Sequence, residues 1–152
     1  MRPLRLEMEA FGSFADRQEI DFEALGGRRL FLIHGPTGAG KSTILEAICF
    51  ALYGSPSAGS DVAAATHLRS HHAEPDRLAR VALDFALGEK RYRVERSPRQ
   101  RRKKRRGEGF VEERGTATLL RVKPGAGVDD PGEPIATKQS DVDTAVRDLL
   151  GL

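Results

Sequence analysis

The chain has 152 residues, 39% hydrophobic and 31% charged, with 16 Gly, 8 Pro, a single Cys and no Trp. That length suits one domain around one core, and the balanced charges and absence of a Gly-X-Y period exclude a disordered tail or a collagen-like fibre. The net charge of +3 conceals an asymmetry: residues 89–106 hold eleven basic and two acidic side chains, a net +9, against −6 for the remainder. Cys49 is alone, so no internal disulfide is possible and an oxidised secreted scaffold is disfavoured. Its apolar neighbours mark it as a small core residue. Arg2, Arg5, Glu7 and Glu9 interrupt the first ten residues, so these lack the apolar region of a signal peptide. The longest apolar stretch, residues 44–53, is about half of the ~20 residues a membrane span needs. The expectation is a cytoplasmic protein with no membrane partner.

Leu4, Leu6, Met8 and Ala10 alternate with charged neighbours, the period of a half-buried strand. Gly12 and Ser13 break the pattern, which resumes over residues 19–22 with Ile20 and Phe22 apolar, so two antiparallel strands are predicted near the start. Gly26 and Gly27 mark a turn. Leu30, Phe31, Leu32 and Ile33 then form a continuous apolar run, predicting a strand buried on both faces. Residues 41–53 predict a helix that is apolar nearly all round, hence central, ending at Gly54 with Pro56 beyond. Residues 55–75 carry no assignable pattern. Val81, Leu83, Phe85 and Leu87 alternate again, as do Tyr92 and Val94 after Gly88-Glu89, predicting a β-hairpin with one solvent face. Residues 100–109 read as a basic loop, 116–122 as a strand and 123–134 as a Pro/Gly/Asp loop. A closing helix starts near Ser140 and aligns Val142, Ala145, Val146, Leu149 and Leu150 on one face.

The most informative residues are Gly35, Pro36, Thr37, Gly38, Ala39, Gly40, Lys41, Ser42 and Thr43, which fit G-x-x-x-x-G-K-[ST] between an apolar run and a helix. Glycines let such a loop turn successive N–H groups into one concavity, an anion nest. The helix opening at Lys41 adds its unsatisfied donors and positive dipole end. The Lys41 ammonium reaches β- and γ-phosphate oxygens, and the Ser42 hydroxyl is placed for Mg²⁺. The expected cofactors are ATP and Mg²⁺. Hydrolysis also needs an acid after a second buried strand. Asp84 is the only superficial candidate, and the alternation around it places it on the exposed hairpin face, so no catalytic residue is assigned within these residues.

Residues 1–15, Ile20-Asp21-Phe22 and residues 30–35 together resemble the start of bacterial SbcC-type ATPases. Residues 47–54, Leu68-Arg69-Ser70, residues 90–98, residues 106–109 and Leu149-Leu150-Gly151-Leu152 extend the likeness over nearly the whole chain. The resemblance implies an α/β (α+β) P-loop NTPase fold, with antiparallel β-hairpins around a central P-loop helix. It implies that residues 1–152 form the N-terminal lobe of a split ABC/SMC-like ATPase head, with a basic loop at 97–109 and with the coiled coil and C-terminal lobe absent. It further implies a role in processing double-stranded DNA ends and hairpins. The implied partners are the chain's own C-terminal lobe, a second SbcC-type head, an SbcD-type nuclease subunit and double-stranded DNA, in a nucleoid-associated setting. Such a fragment binds nucleotide without turning it over alone. One departure concerns the residue after Phe11: some relatives carry Arg there, whereas this chain has Gly12, so the resemblance carries no base or ribose contact over to that position.

In the basic segment, Lys90, Arg91, Arg93, Arg101, Arg102, Lys103, Lys104, Arg105 and Arg106 are the candidates for phosphate contacts on DNA, without sequence readout. The bland alternative is a solvated insertion. His67, His71 and His72 read as a polar loop, since no Cys or suitably spaced acid accompanies them. Arg69 and Ser70 are candidate functional residues of unassigned role. Two further functions fit parts of the pattern: a small P-loop kinase, which lacks a visible acceptor acid, and a DNA-binding module with a vestigial P-loop.

Overall fold

The computed structural model describes residues 1–26, 30–55, 68–104, 106–123, 125 and 132–152. Its elements are β1 (Arg2–Glu9), β2 (Gln18–Asp21), a 3₁₀ turn (Glu23–Leu25), α1 (Lys41–Tyr53), β3 (Arg80–Leu87), β4 (Lys90–Ser97), β5 (Gln100–Lys103), β6 (Phe110–Glu113), β7 (Thr116–Val122), β8 (Glu133–Ala136) and α2 (Gln139–Leu150). Six strands form one antiparallel sheet in the order β2-β1-β3-β4-β7-β8, and β5 and β6 form a separate two-stranded sheet. This is the α/β P-loop lobe expected, with antiparallel strands around the helix that follows the loop.

The period-two pattern explains the sheet. Leu6 pairs with Leu83, Leu83 with Val94 and Val94 with Leu119, so one row of apolar side chains crosses four strands on a single face. Onto it pack Ala47, Phe50 and Ala51 of α1 and Val142 and Val146 of α2. The tilted Phe11–Phe50 ring pair, with centroids 5.8 Å apart, joins the end of β1 to α1. Burying a side chain of this size contributes ~1.5–3 kcal/mol, so this row and its two helices are the main source of stability.

The opposite face carries a ladder of charges. Arg5 bonds Glu19 at 2.7 Å, Arg17 bonds Glu7 at 2.7 Å, Arg80 bonds Glu95 at 2.8 Å, and Arg93 grips both oxygens of Asp84 at 2.7 and 2.8 Å. The β3–β4 hairpin therefore lacks the free solvent face its alternation predicts. Ala82 and Ala86 lie on that side yet are buried beneath these long side chains.

Four other expectations are corrected. Leu30, Phe31, Leu32 and Ile33 do not join the sheet: Leu30 is 89% and Leu32 84% exposed, and no described strand pairs with them. A strand is buried on both faces only inside a covered sheet, and this segment lies outside the sheet. The helix at 41–53 has the predicted bounds but packs on one face only, leaving Leu45 and Tyr53 outward. The basic loop contains a hairpin, because residues 100–103 pair with 110–113. The loop at 123–134 ends earlier than expected, since β8 starts at Glu133 and pairs with β7. Of the predicted turn, Gly26 has left-handed backbone, whereas Gly27 and the Pro56 helix stop lie outside the described residues.

Candidate nucleotide site and basic surface

The loop between residues 35 and 40 is short because its turns are glycines. Gly38 and Gly40 have φ of 86° and 84°, a left-handed backbone that other residues adopt only with strain. Ala39 N–H donates to Pro36 O at 3.2 Å, closing the turn, and Ile44 N–H donates to Gly40 O at 3.3 Å, starting α1. No side chain caps this helix end, so its first N–H groups remain available at the loop. Lys41 Nζ lies over the loop mouth and donates to Gly35 O at 2.8 Å and to Pro36 O at 2.7 Å. An ammonium resting on two carbonyls exchanges them readily for anionic oxygens, which bind it more strongly.

A second segment walls the loop. The turn after β1 runs Phe11, Gly12, Ser13, Phe14, and Ser13 Oγ lies 3.0 Å from Thr43 Oγ1. A Cβ added to Gly12 would fall 2.5 Å from Thr43 Cγ2, and one added to Gly40 would fall 2.4 Å from Phe14 Cζ. Neither position admits a side chain without moving the other segment. Gly12 is thus required by its left-handed φ of 55° and by the Thr43 side chain packed on it, a contact that spacing in the sequence does not reveal.

Arg69 and Ser70 stand behind this wall. Gly12 N–H donates to Leu68 O at 2.8 Å and Ser70 N–H to Ala10 O at 2.7 Å. The Arg69 guanidinium donates to the carbonyls of Ser70, Ala73, Glu74 and Arg77, stapling the following turn. Together they tie residues 10–12 to the turn at 70–77. His67 lies outside the described residues, and His71 and His72 are exposed in the stapled turn. Cys49 is partly buried, and desolvation pushes its thiol up, away from the reactive thiolate. Asp84 is not the solvated residue its strand pattern suggests, because Arg93 occupies both its oxygens.

The basic segment is divided by its partners. Arg91 pairs with Glu23, Arg93 with Asp84, Arg99 with Glu112 and Arg102 with Glu113. Arg96 is 2% exposed and turns into the core, where Nε donates to Ala51 O at 2.7 Å and Nη2 lies 2.7 Å from Asp143. Burial lowers its pKa, partly offset by the Asp143 carboxylate. Lys90, Arg101, Lys103, Lys104 and Arg106 have no ion-pair partner among the described residues, and Arg105 lies outside them. Lys90 starts β4 and the other four lie past its end, so roughly 20 Å of strand separates them. The net +9 is therefore a small hairpin patch and one distant lysine.

A glycine-rich loop closed by a lysine at the head of a helix, set against an antiparallel sheet, defines a P-loop nucleotide-binding lobe. The chain matches the AAA domain family over residues 5–127 and belongs to that family. The likeness to SbcC-type ATPases is borne out: the chain is 47% identical over all 152 residues to a Vibrio cholerae protein named as the SbcC component of the SbcCD nuclease. It is 38% identical over 152 residues to the Lactococcus lactis protein of the same name. It is also 45% identical over 101 residues, 66% of the chain, to an Aquifex aeolicus protein named "Probable DNA double-strand break repair Rad50 ATPase". The chain spans 14% of the length of each of the first two relatives and 10% of the third. Among the described residues no helix is long and apolar enough to cross a membrane.

Proposed function

We propose that this chain is the N-terminal ATP-binding lobe of a split SbcC-type head. In this reading ATP binding and hydrolysis control a partner nuclease acting on double-stranded DNA ends and hairpins in repair and recombination, in the cytoplasm at the nucleoid. The observation that carries it is the P-loop itself: a left-handed glycine pair, uncapped helix donors and an ammonium over the mouth fit a polyphosphate. The N–H groups of Gly38, Ala39 and Gly40 would hold phosphate oxygens, Lys41 the β- and γ-phosphates, Ser42 the Mg²⁺ and Thr43 a further phosphate oxygen. Gly35, Pro36 and Thr37 shape the entry to the loop. The bound Mg²⁺ supplies charge neutralisation on the phosphates.

Two observations support the split head. The one carboxylate that the strand pattern offers as a metal ligand, Asp84, is occupied by Arg93. The apolar run at residues 30–32 stands exposed directly before the loop, as expected of a segment that a C-terminal lobe covers. A second head and an SbcD-type subunit complete the proposed assembly. The kinase and vestigial-loop readings gain nothing from relatives named for SbcCD and Rad50.

The test is titration of a fluorescent ATP analogue with Mg²⁺ into the 152-residue chain and its Lys41→Ala variant. Binding by the native chain, weakened at least tenfold in the variant, with no turnover by either, is the expected result. Binding indifferent to Lys41, or phosphate transfer to a small acceptor by this chain alone, would overturn the reading.

A further inference from the structure

The β5–β6 hairpin brings together residues that sequence spacing keeps apart. Arg101 pairs with Glu112 and Lys103 with Phe110, so these four side chains share one face of a two-stranded sheet. That face is the exposed one: Phe110 is 58% accessible, and Arg101 and Lys103 are exposed beside it. The other face turns inward, with Gln100 buried and Arg102 held by Glu113 at 2.6 Å. On the outer face the Arg101 guanidinium lies 5.6 Å from the centre of the Phe110 ring. Glu112 shares this face but is engaged by Arg99 at 2.5 Å. Lys104 and Arg106 follow Lys103 towards the turn, where Glu108 is the one acid in residues 104–109.

An exposed aromatic ring with a planar cation on it, among free cations, is chemically specific. Phosphates alone need charge, and lysines suffice. A flat apolar surface among cations adds a stacking partner for a base, and every base has a face to offer. Bases inside a duplex have both faces occupied by their neighbours. Unpaired bases at an end or an opened hairpin tip do not.

We infer that the outer face of β5–β6 is a stacking platform for unpaired nucleotides of DNA, with Phe110 and Arg101 receiving the base and Lys103, Lys104 and Arg106 the adjoining phosphates. This rests on the DNA reading above and narrows it, from duplex in general to ends and tips with unpaired bases. It also revises the expectation of a purely electrostatic contact, since the aromatic absent from the basic run itself is delivered by strand pairing.

The experiment compares two DNAs of equal duplex length: one a relaxed covalently closed circle with neither ends nor hairpin tips, the other linear and carrying a short unpaired overhang with a fluorescent base analogue. Anisotropy reports affinity and the analogue's quenching reports stacking. The native chain should prefer the overhang DNA and quench the analogue. Phe110→Ala should lose about fivefold or more on the overhang DNA, the lower range for one stacked base, and abolish quenching. Its affinity for closed DNA and the salt slope there should stay unchanged, and Phe110→Tyr should behave as native. Because Phe110 is largely exposed, the alanine variant keeps the fold. Equal affinity of the native chain for both DNAs, or equal loss on both in Phe110→Ala, would overturn the platform while leaving a DNA-binding lobe. Binding of neither DNA would overturn the DNA reading and the platform with it.

Discussion

Arg96 shows how little a residue's type says about its place. In the sequence it is one of eleven cations in a run. In the fold it lies on the core face of β4, paired across the strands with Val81 and Ala117. From there it caps the last turn of α1 through the Ala51 and Leu52 carbonyls and reaches Asp143 on α2. Nothing in composition signals this, although its period-two position, in step with Tyr92 and Val94, does. Cations favour a helix C-terminus, and three elements here depend on one guanidinium. Arg96→Ala should cost about 3 kcal/mol, the lower end for breaking a buried pair because Asp143 remains partly hydrated. Urea unfolding monitored by circular dichroism would measure it, and a loss below about 1 kcal/mol would contradict the assignment. Lysine should not restore the loss, since one ammonium cannot reproduce the fork.

At the scale of elements, legibility follows the hydrogen-bond partner. The strands β1, β3 and β4 alternate cleanly because one face is buried and the other paired with charge. Helix α1 announces both its ends, Lys41 after the glycine loop and Gly54 with its left-handed cap. The β5–β6 hairpin leaves no such trace: Gln100, Arg101, Arg102 and Lys103 carry no apolar alternation, and ion pairs with Glu112 and Glu113 hold it instead. That origin gives the hairpin a pH dependence. The Arg99 hydrogen bond and charge hold the Glu112 carboxyl below its ordinary 4.5. A depressed carboxylate stabilises the fold fully above the unfolded value and loses that contribution as pH falls through the folded one. An NMR titration of the Glu112 side chain should therefore show a midpoint below 4.5, rising towards the ordinary value in Arg99→Ala. An unshifted midpoint in the native chain would mean the pair is open in solution. Because both groups are exposed, the accompanying change in melting temperature should be small.

Across the whole molecule, the sheet and two helices form a closed core, whereas the route into the P-loop remains outside it. The glycine loop is legible from spacing alone, but its wall is not. Ser13 against Thr43 and Phe14 against Gly40 are meetings across about thirty residues of chain, made by the return of β1 to the head of α1. The apolar content of Leu30, Phe31 and Leu32 marks a strand-like run but not its exposure: Phe31 rests on Phe22, whereas Leu30 and Leu32 stand outward and no described strand pairs with them. These side chains form an exposed apolar patch outside the sheet, and such patches recruit other chains. The isolated chain should consequently self-associate as its concentration rises. Light scattering after gel filtration should return a single monomer mass once Leu30→Lys and Leu32→Lys are combined, and a monomeric native chain at the same high concentration would refute this. The segment that precedes the glycine loop thus also sets a colloidal limit: while its side chains stand uncovered, crowding drives the chain towards aggregation.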